Sequence, residues 1–213
     1  MKITKFGHCC LLVETKGLRI LTDPGAYSVL PTDIRNIDIV LITHDHQDHV
    51  HAESLQELLK NNPNAEVITN SEVGKKLEEL SIGYKKLEGR ESETIKEVLL
   101  EAFDCKHEEI YGDFGRVQNT GYFIDNKLFY PGDSFFNPGK HVDTLALPVA
   151  GPWCTIHDAV DYALDVKPKK AFPVHDGMLL PDRRGITRKL PEKMLSENGI
   201  EFIDMIEGDT KEF

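Results

Sequence analysis

The residues His44-Asp45-His46-Gln47-Asp48-His49 bring three imidazoles and two carboxylates together in one short stretch. Neutral imidazole nitrogen and carboxylate oxygen are the ligands that Zn²⁺ and similar ions take. Histidines two apart on an extended turn can point to one side and clamp a cation. The Asp48-His49 pair just beyond can turn toward a second. A solvated loop that happens to be rich in histidine is the alternative. The apolar run Ile37-Asp38-Ile39-Val40-Leu41-Ile42 comes immediately before, so the cluster falls at the C-terminal end of a buried strand. Folds of the α/β type place their sites there.

The elements around the cluster alternate in type. Lys2–Thr15 and Leu18–Gly25 read as strands joined at Lys16-Gly17. Leu55, Leu58 and Leu59 have helical spacing, Ala65–Asn70 is a short strand, and Ser71 is a plausible N-cap for a helix over 71–80. Strands are expected over 93–103, 119–133 (with a hairpin turn at Asp125-Asn126) and 142–149. Thr155 caps a helix to Val166, and residues 169–177 form a strand. A helix follows over 190–199, with Pro191 near its start and Gly199 just after its end, and residues 201–208 are the last strand. Each half runs strands first and then mixes strands with helices. Two sheets packed face to face with helices outside, a four-layer αββα sandwich of the α/β class, would satisfy the pattern. With no linker or repeat visible, residues 1–213 read as one domain.

Composition narrows the partners. The net charge of −11, from 25 basic and 36 acidic residues, argues against long nucleic acid as the main partner and leaves a small-molecule substrate open. No apolar stretch approaches membrane-helix length, and the N-terminus reads as a first strand rather than a signal peptide, so no membrane role and a cytoplasmic setting are expected. Cys9, Cys10, Cys105 and Cys154 form no C-x-x-C pair and read as small buried residues. The charge leaves assembly into a homo-oligomer open.

His44, His46, Asp48 and His49 resemble the signature of the metallo-β-lactamase superfamily, and the resemblance extends in order along nearly the whole chain. Asp23 in ILTDPG looks like the family's supporting aspartate, Asp133 in YPGDS like its bridging carboxylate, and His107 and His175 like its later histidines. The resemblance implies that His44, His46 and His107 bind one metal. It implies that Asp48, His49 and His175 bind a second, with Asp133 between them. Two divalent ions are thus implied, zinc first by affinity order, with manganese or iron admitted. The segments GHCCLLVET, ILTDPG, NTGYFID and LFYPGDS resemble the small branch that includes enzymes similar to L-ascorbate-6-phosphate lactonase. The implied activity is hydrolysis of a small ester or lactone, phosphorylated or not, by a hydroxide shared between the metals. Hydrolysis of small phosphodiesters or cyclic phosphates is an alternative, and an iron-dependent redox enzyme is one of another class. Asp48 orients the nucleophile and could accept a proton. His8, whose counterpart in the branch lies near the metals, is the candidate donor to the leaving oxygen; a hydrogen-bonded structural histidine is its other reading.

Several residues carry two readings. The basic stretch Leu180–Leu190 is a solvated loop or a lid bringing Arg183, Arg184 or Arg188 to an anionic substrate. Arg116 and Gln118 divide the same way. Trp153 is a pocket wall or a packed residue. His157 lines the pocket or lies on the surface, and His51 and His141 are surface residues.

Overall fold

In the computed structural model, which describes residues 1–213, the chain opens with antiparallel strands β1 (Lys2–Lys5), β2 (Leu11–Thr15) and β3 (Leu18–Thr22). Lys16 and Gly17, both at positive φ, make the two-residue turn that matches strand twist. Strand β4 (Ile39–Leu41), helix α1 (Ala52–Asn61), strand β5 (Glu66–Thr69), helix α2 (Ser71–Glu79) and strand β6 (Lys85–Lys86) follow, and β4 to β6 extend the sheet in parallel. The second sheet begins with β7 (Ser92–Ile95), β8 (Val98–Lys106), β9 (Gln118–Ile124) and β10 (Leu128–Tyr130), all antiparallel. Strand β11 (Thr144–Pro148), helix α3 (Ile156–Val166), strand β12 (Lys170–Val174), helix α4 (Gly185–Ser196) and strand β13 (Glu201–Phe202) add the parallel half. Strand β14 (Thr210–Glu212) then crosses back to pair with β1, so the two sheets run β14-β1-β2-β3-β4-β5-β6 and β13-β12-β11-β10-β9-β8-β7.

Burial resolves into three apolar interfaces, as four layers require. Leu11, Val13, Ile20 and Leu41 of the first sheet meet Leu100, Tyr122, Ile124 and Phe172 of the second. Leu12, Leu21, Val40 and Val67 point the other way, onto Leu55 and Leu58 of α1 and Val73 and Leu77 of α2. Phe123, Phe129, Leu145 and Ala171 pack on Ala159 and Ala163 of α3 and Leu195 of α4. Leu11 and Leu12 therefore serve different interfaces, because successive strand side chains alternate faces. The αββα expectation holds.

Four local readings shift. The α2 N-cap is Asn70, whose side chain accepts from Val73 N; the Ser71 hydroxyl instead donates to Glu88. The single strand expected over 93–103 is a hairpin that turns at Lys96, which has a positive φ. Helix α4 starts upstream of the expected helix and carries Pro191 in its interior. The last strand, expected over 201–208, shortens to β13 at Glu201–Phe202; β14 lies beyond it and was not expected, and Phe213 N donates to Met1 O, joining the two ends of the chain.

Asp23, at the end of β3, has a left-handed backbone and leads into Gly25, which packs on the Asp48 carbonyl. A Cβ on Gly25 would lie 1.8 Å from Asp48 O. Gly25→Ala is therefore expected to lower stability by about 3 kcal/mol and Tm by about 10 °C. A thermal unfolding curve that overlays the wild type would refute that packing.

Candidate metal centre

The strand ends gather the candidate residues at one place. Strand β4 ends where the Asp23 carboxylate takes the next ladder donor: after the backbone bond from Asp23 N to Leu41 O at 2.9 Å, Thr43 N donates to Asp23 Oδ1 at 2.8 Å. His49 N and Val50 N then both donate to His46 O, closing a turn. That turn separates His44 and His46 from Asp48 and His49. His44, His46, His107 and Asp133 form one group, and His8, Asp48, His49 and His175 another, with candidate ligand atoms within 4.8 Å of one another in each. All seven ligand positions expected from the sequence, and His8, lie in these two groups.

The histidine protons are assigned by their outer partners. Nδ1 of His49 faces Asp23 Oδ2 at 2.7 Å, Nδ1 of His107 faces Glu108 O at 2.6 Å, and Nδ1 of His175 faces Ala150 O at 2.5 Å. Nδ1 of His44 lies 3.0 Å from the Thr43 hydroxyl, which itself donates to Asp23. Acceptors at Nδ1 place the proton there and leave Nε2 as a bare lone pair, the arrangement that outer-shell partners give to metal-binding histidines. Those Nε2 atoms converge on Asp133: His49 at 3.0 Å, His175 at 2.9 Å, His107 at 3.2 Å and His44 at 3.7 Å. His44 Nε2, His49 Nε2, His175 Nε2 and Asp133 Oδ1 are buried and make no hydrogen bond. Buried lone pairs facing one another are costly unless a cation lies among them, so this donor set fits metal ions.

His8 is arranged differently. Gly177 N donates to its Nδ1 at 3.1 Å, so the ring proton sits on Nε2 and is donated to Asp48 Oδ2 at 3.0 Å. Its place is behind Asp48, with both nitrogens engaged and no exposed surface. Burial lowers the His8 pKa to about 4 against the pull of the Asp48 hydrogen bond, so the ring is neutral near pH 7. Burial also lowers the pKa of His44 and His46. Burial opposes the charge on Asp133, but His175, His49 and His44 in their protonated forms hold its carboxyl well below the ordinary range, and against burial the Asp133 charge raises His49 and His175 in turn; a metal bound at their Nε2 atoms would replace those protons. His8, Asp23 and His175 all adopt positive φ, a strained backbone for side-chain-bearing residues that persists where surrounding contacts over-determine it.

Other residues were not singled out by type or spacing. Tyr130 OH lies 2.6 Å from Asp23 Oδ2, and Asn119 Oδ1 accepts from Asp133 N. Cys9 lies against His49 and Asp133, and burial, followed by the Asp133 charge, raises its thiol pKa well above the usual value. Trp153, which had two readings, donates from Nε1 to Asp133 Oδ2 at 3.1 Å. Being the chain's one tryptophan was its only signal; Tyr130 and Asn119 sit in ordinary strand sequence and gave none.

The basic loop turns inward. Arg188 pairs with Asp176 and Asp204, Arg184 pairs with Glu207, and Lys5, fully buried, donates to Asp176 Oδ1 at 2.8 Å. Arg184 and Arg188 are thus neither lid cations nor solvated, while Arg183 is exposed. Arg116 lines a cleft beside His107, and Gln118 is tied to Asp104 and Glu88. His157 and His141 are exposed, and His51 is half-buried against Ser54 at the start of α1.

Residues 2–175 match the family model described as a beta-lactamase superfamily domain. The chain belongs to this family. Membership makes it an enzyme of the metallo-β-lactamase superfamily, a metal-dependent hydrolase by class. Among its relatives, Protein Rv0786c of Mycobacterium tuberculosis is 36% identical over 191 residues, spanning 87% of this chain and 89% of that protein. A UPF0173 metal-dependent hydrolase of Bacillus pumilus is 38% identical over 201 residues, spanning 82% and 85%. The fold is shared with Igni18, a metallo hydrolase from Ignicoccus hospitalis, at a TM-score of 0.78 and 20% identity, covering 100% of this chain and 98% of that one. No helix is long and apolar enough to cross a membrane.

Asp23 accepts from His49, Thr43 and Tyr130 without facing the ligand set itself. Asp23→Ala is expected to weaken metal binding by about 10- to 100-fold, read by competition with a chromophoric chelator. Unchanged affinity would remove its supporting role.

Proposed function

We propose that the chain, acting as one domain over residues 1–213, hydrolyses a small ester or lactone at a centre of two divalent ions. His44, His46 and His107 form one ligand set and Asp48, His49 and His175 the other, with Asp133 between them. The observation that carries this reading is the convergence of unpartnered Nε2 atoms from His44, His49 and His175 on the unpartnered Oδ1 of Asp133. A closed structural site would bury every ligand. Here His46 and Asp48 keep some exposure while the other five are buried, which leaves one side open.

When bound, the two ions supply Lewis acidity at a carbonyl oxygen and bring the pKa of water into the neutral range. Zinc is the first choice on affinity order. Asp48 is the residue placed to take a proton from water and return it to the leaving oxygen. The His8 Nε2–H bond to Asp48 Oδ2 fixes that carboxylate and, with burial opposing, helps hold its pKa below the ordinary value. His8 therefore acts through Asp48 rather than on the leaving group directly. Trp153 holds Asp133 Oδ2 from the side away from His49 Nε2, which faces Oδ1. Acyl chemistry is favoured over phosphoryl chemistry because two of the basic loop's three arginines, Arg184 and Arg188, are spent on Asp176, Glu207 and Asp204, while Arg183 and, beside His107, Arg116 stay exposed. The resemblance of the segments around His8, Asp23 and Asp133 to the lactonase-like branch points the same way.

The test is elemental analysis and turnover on protein purified without chelator. About two ions per chain are expected in the wild type. In Asp133→Ala, ion content is expected to fall and ester or lactone turnover to drop by more than the roughly 100-fold that loss of an outer partner costs. Wild-type turnover in that variant would sink the proposal. Turnover of bis-p-nitrophenyl phosphate without any lactone or ester activity would replace it with a phosphodiesterase. Iron with substrate-dependent oxygen uptake would replace it with a redox enzyme.

A further inference from the structure

Eight large apolar side chains stand exposed, and six of them lie on three loops that each leave a candidate site residue. The loop after Asp23 carries Tyr27 and Val29, the loop after His107 carries Tyr111 and Phe114, and the loop after His175 carries Met178 and Leu180. The other two, Ile186 and Ile206, flank the Arg184–Glu207 ion pair next to the third loop. The outer faces of α1, α2 and α3 carry none of the eight.

Each loop touches the site. Ala26 N donates to Gln47 O, and the Tyr27 ring lies 5.3 Å from the His8 ring. A Cβ on Gly115, next to Phe114, would lie 3.7 Å from His46 Nε2. Gly177, next to Met178, packs on His8. Tyr111 and Phe114 are 84% and 74% exposed, on a tight turn closed by Phe114 N donating to Tyr111 O. Such a concentration of exposed apolar surface is uncommon on a protein surface unless something binds it.

We propose that these loops form a rim that binds the apolar acyl chain of the substrate, so that the enzyme acts on medium-chain acyl esters or acyl-bearing lactones. The inference rests on the hydrolase reading above. A second copy is the other occupant to weigh. Seated on all three loops, it would cover the side on which His46 and Asp48 reach solvent and shut the site. An acyl chain laid along the rim instead brings its carbonyl to that opening. Of the three arginines on the third loop and the helix after it, Arg184 and Arg188 turn inward to Glu207, Asp176 and Asp204, which leaves Arg183 as the one exposed guanidinium there.

The rim is tested by calorimetric titration of zinc-loaded protein with acetohydroxamate and octanohydroxamate, which read binding without turnover. Octanohydroxamate is expected to bind at least about 30-fold tighter, since its added methylenes leave water against the rim. Tyr111→Ser combined with Phe114→Ser, neither a metal ligand, is expected to cut that ratio to about threefold while leaving acetohydroxamate affinity unchanged. In parallel, kcat/KM on p-nitrophenyl octanoate over acetate is expected to follow the same ratio. Equal affinities, no binding of either hydroxamate, or a preference that survives in the double variant would overturn the rim. Chain-dependent binding with no ester or lactone turnover would overturn the hydrolytic reading and leave the rim assigned. A dimer in sedimentation that the double variant converts to monomer, with no chain preference, would make these loops a subunit interface and overturn the acyl site.

Discussion

The carboxylate of Asp23 accepts from Thr43 N, the Thr43 hydroxyl, His49 Nδ1 and Tyr130 OH. Those donors come from the end of β4, from the histidine turn and from β10 of the opposite sheet. One buried anion thus fixes where β4 stops, which way the His49 lone pair points and how the two sheets meet at the site end. A buried carboxylate is stable only with its lone pairs satisfied, and this one is surrounded by donors. The positive φ of Asp23 is strain held in place by the same contacts.

A second buried cluster supports the other side. Asp176, next to His175, is met by Lys5 from β1 and Arg188 from α4, and Burial raises the cost of its charge while those cations still hold its carboxyl below the ordinary range. Removing one member of such a group leaves an uncompensated buried charge, so the cluster locks the His175 strand end to β1 and α4. Through Gly177 it also reaches His8, whose tautomer is set by a backbone N–H rather than by solvent. Asp48 and His175 are thereby positioned from one structural unit.

The two groups of candidate ligands are held from outside, and their exposed members lie on one turn. His44, His49, His107, Asp133 and His175 are held by strand ends and outer acceptors, while His46 and Asp48 lie on the turn that faces the apolar loops. On the proposed function, chemistry that needs fixed donors sits at the sheet ends, and selectivity falls to loops free to vary in length and side chain.

Much of the site was legible because its signals are local. His44 to His49 declare their chemistry by type and spacing, and Asp23, Asp133 and His175 each follow an apolar strand in a recognisable segment. The period-2 and helical patterns gave the four layers, and Lys16-Gly17 and Asp125-Asn126 gave two hairpins, because turn conformation depends on adjacent residues. Less was legible where a partner lies far along the chain. Arg184 and Arg188 looked like free cations until Asp176 and Glu207 met them, and Trp153 acquired a role only when Asp133 came within reach. Ser71 and Asn70 were equally good caps by type, and the backbone angle of Asn70 chose between them. Strand β14 had no pattern of its own and exists because β1 offered an edge. The sequence by itself determined which residues can bind metal and which faces are apolar, since both follow from side-chain type and period. Tertiary structure decided proton positions, ion pairing and the direction of the open side, since each depends on atoms that only folding brings into contact.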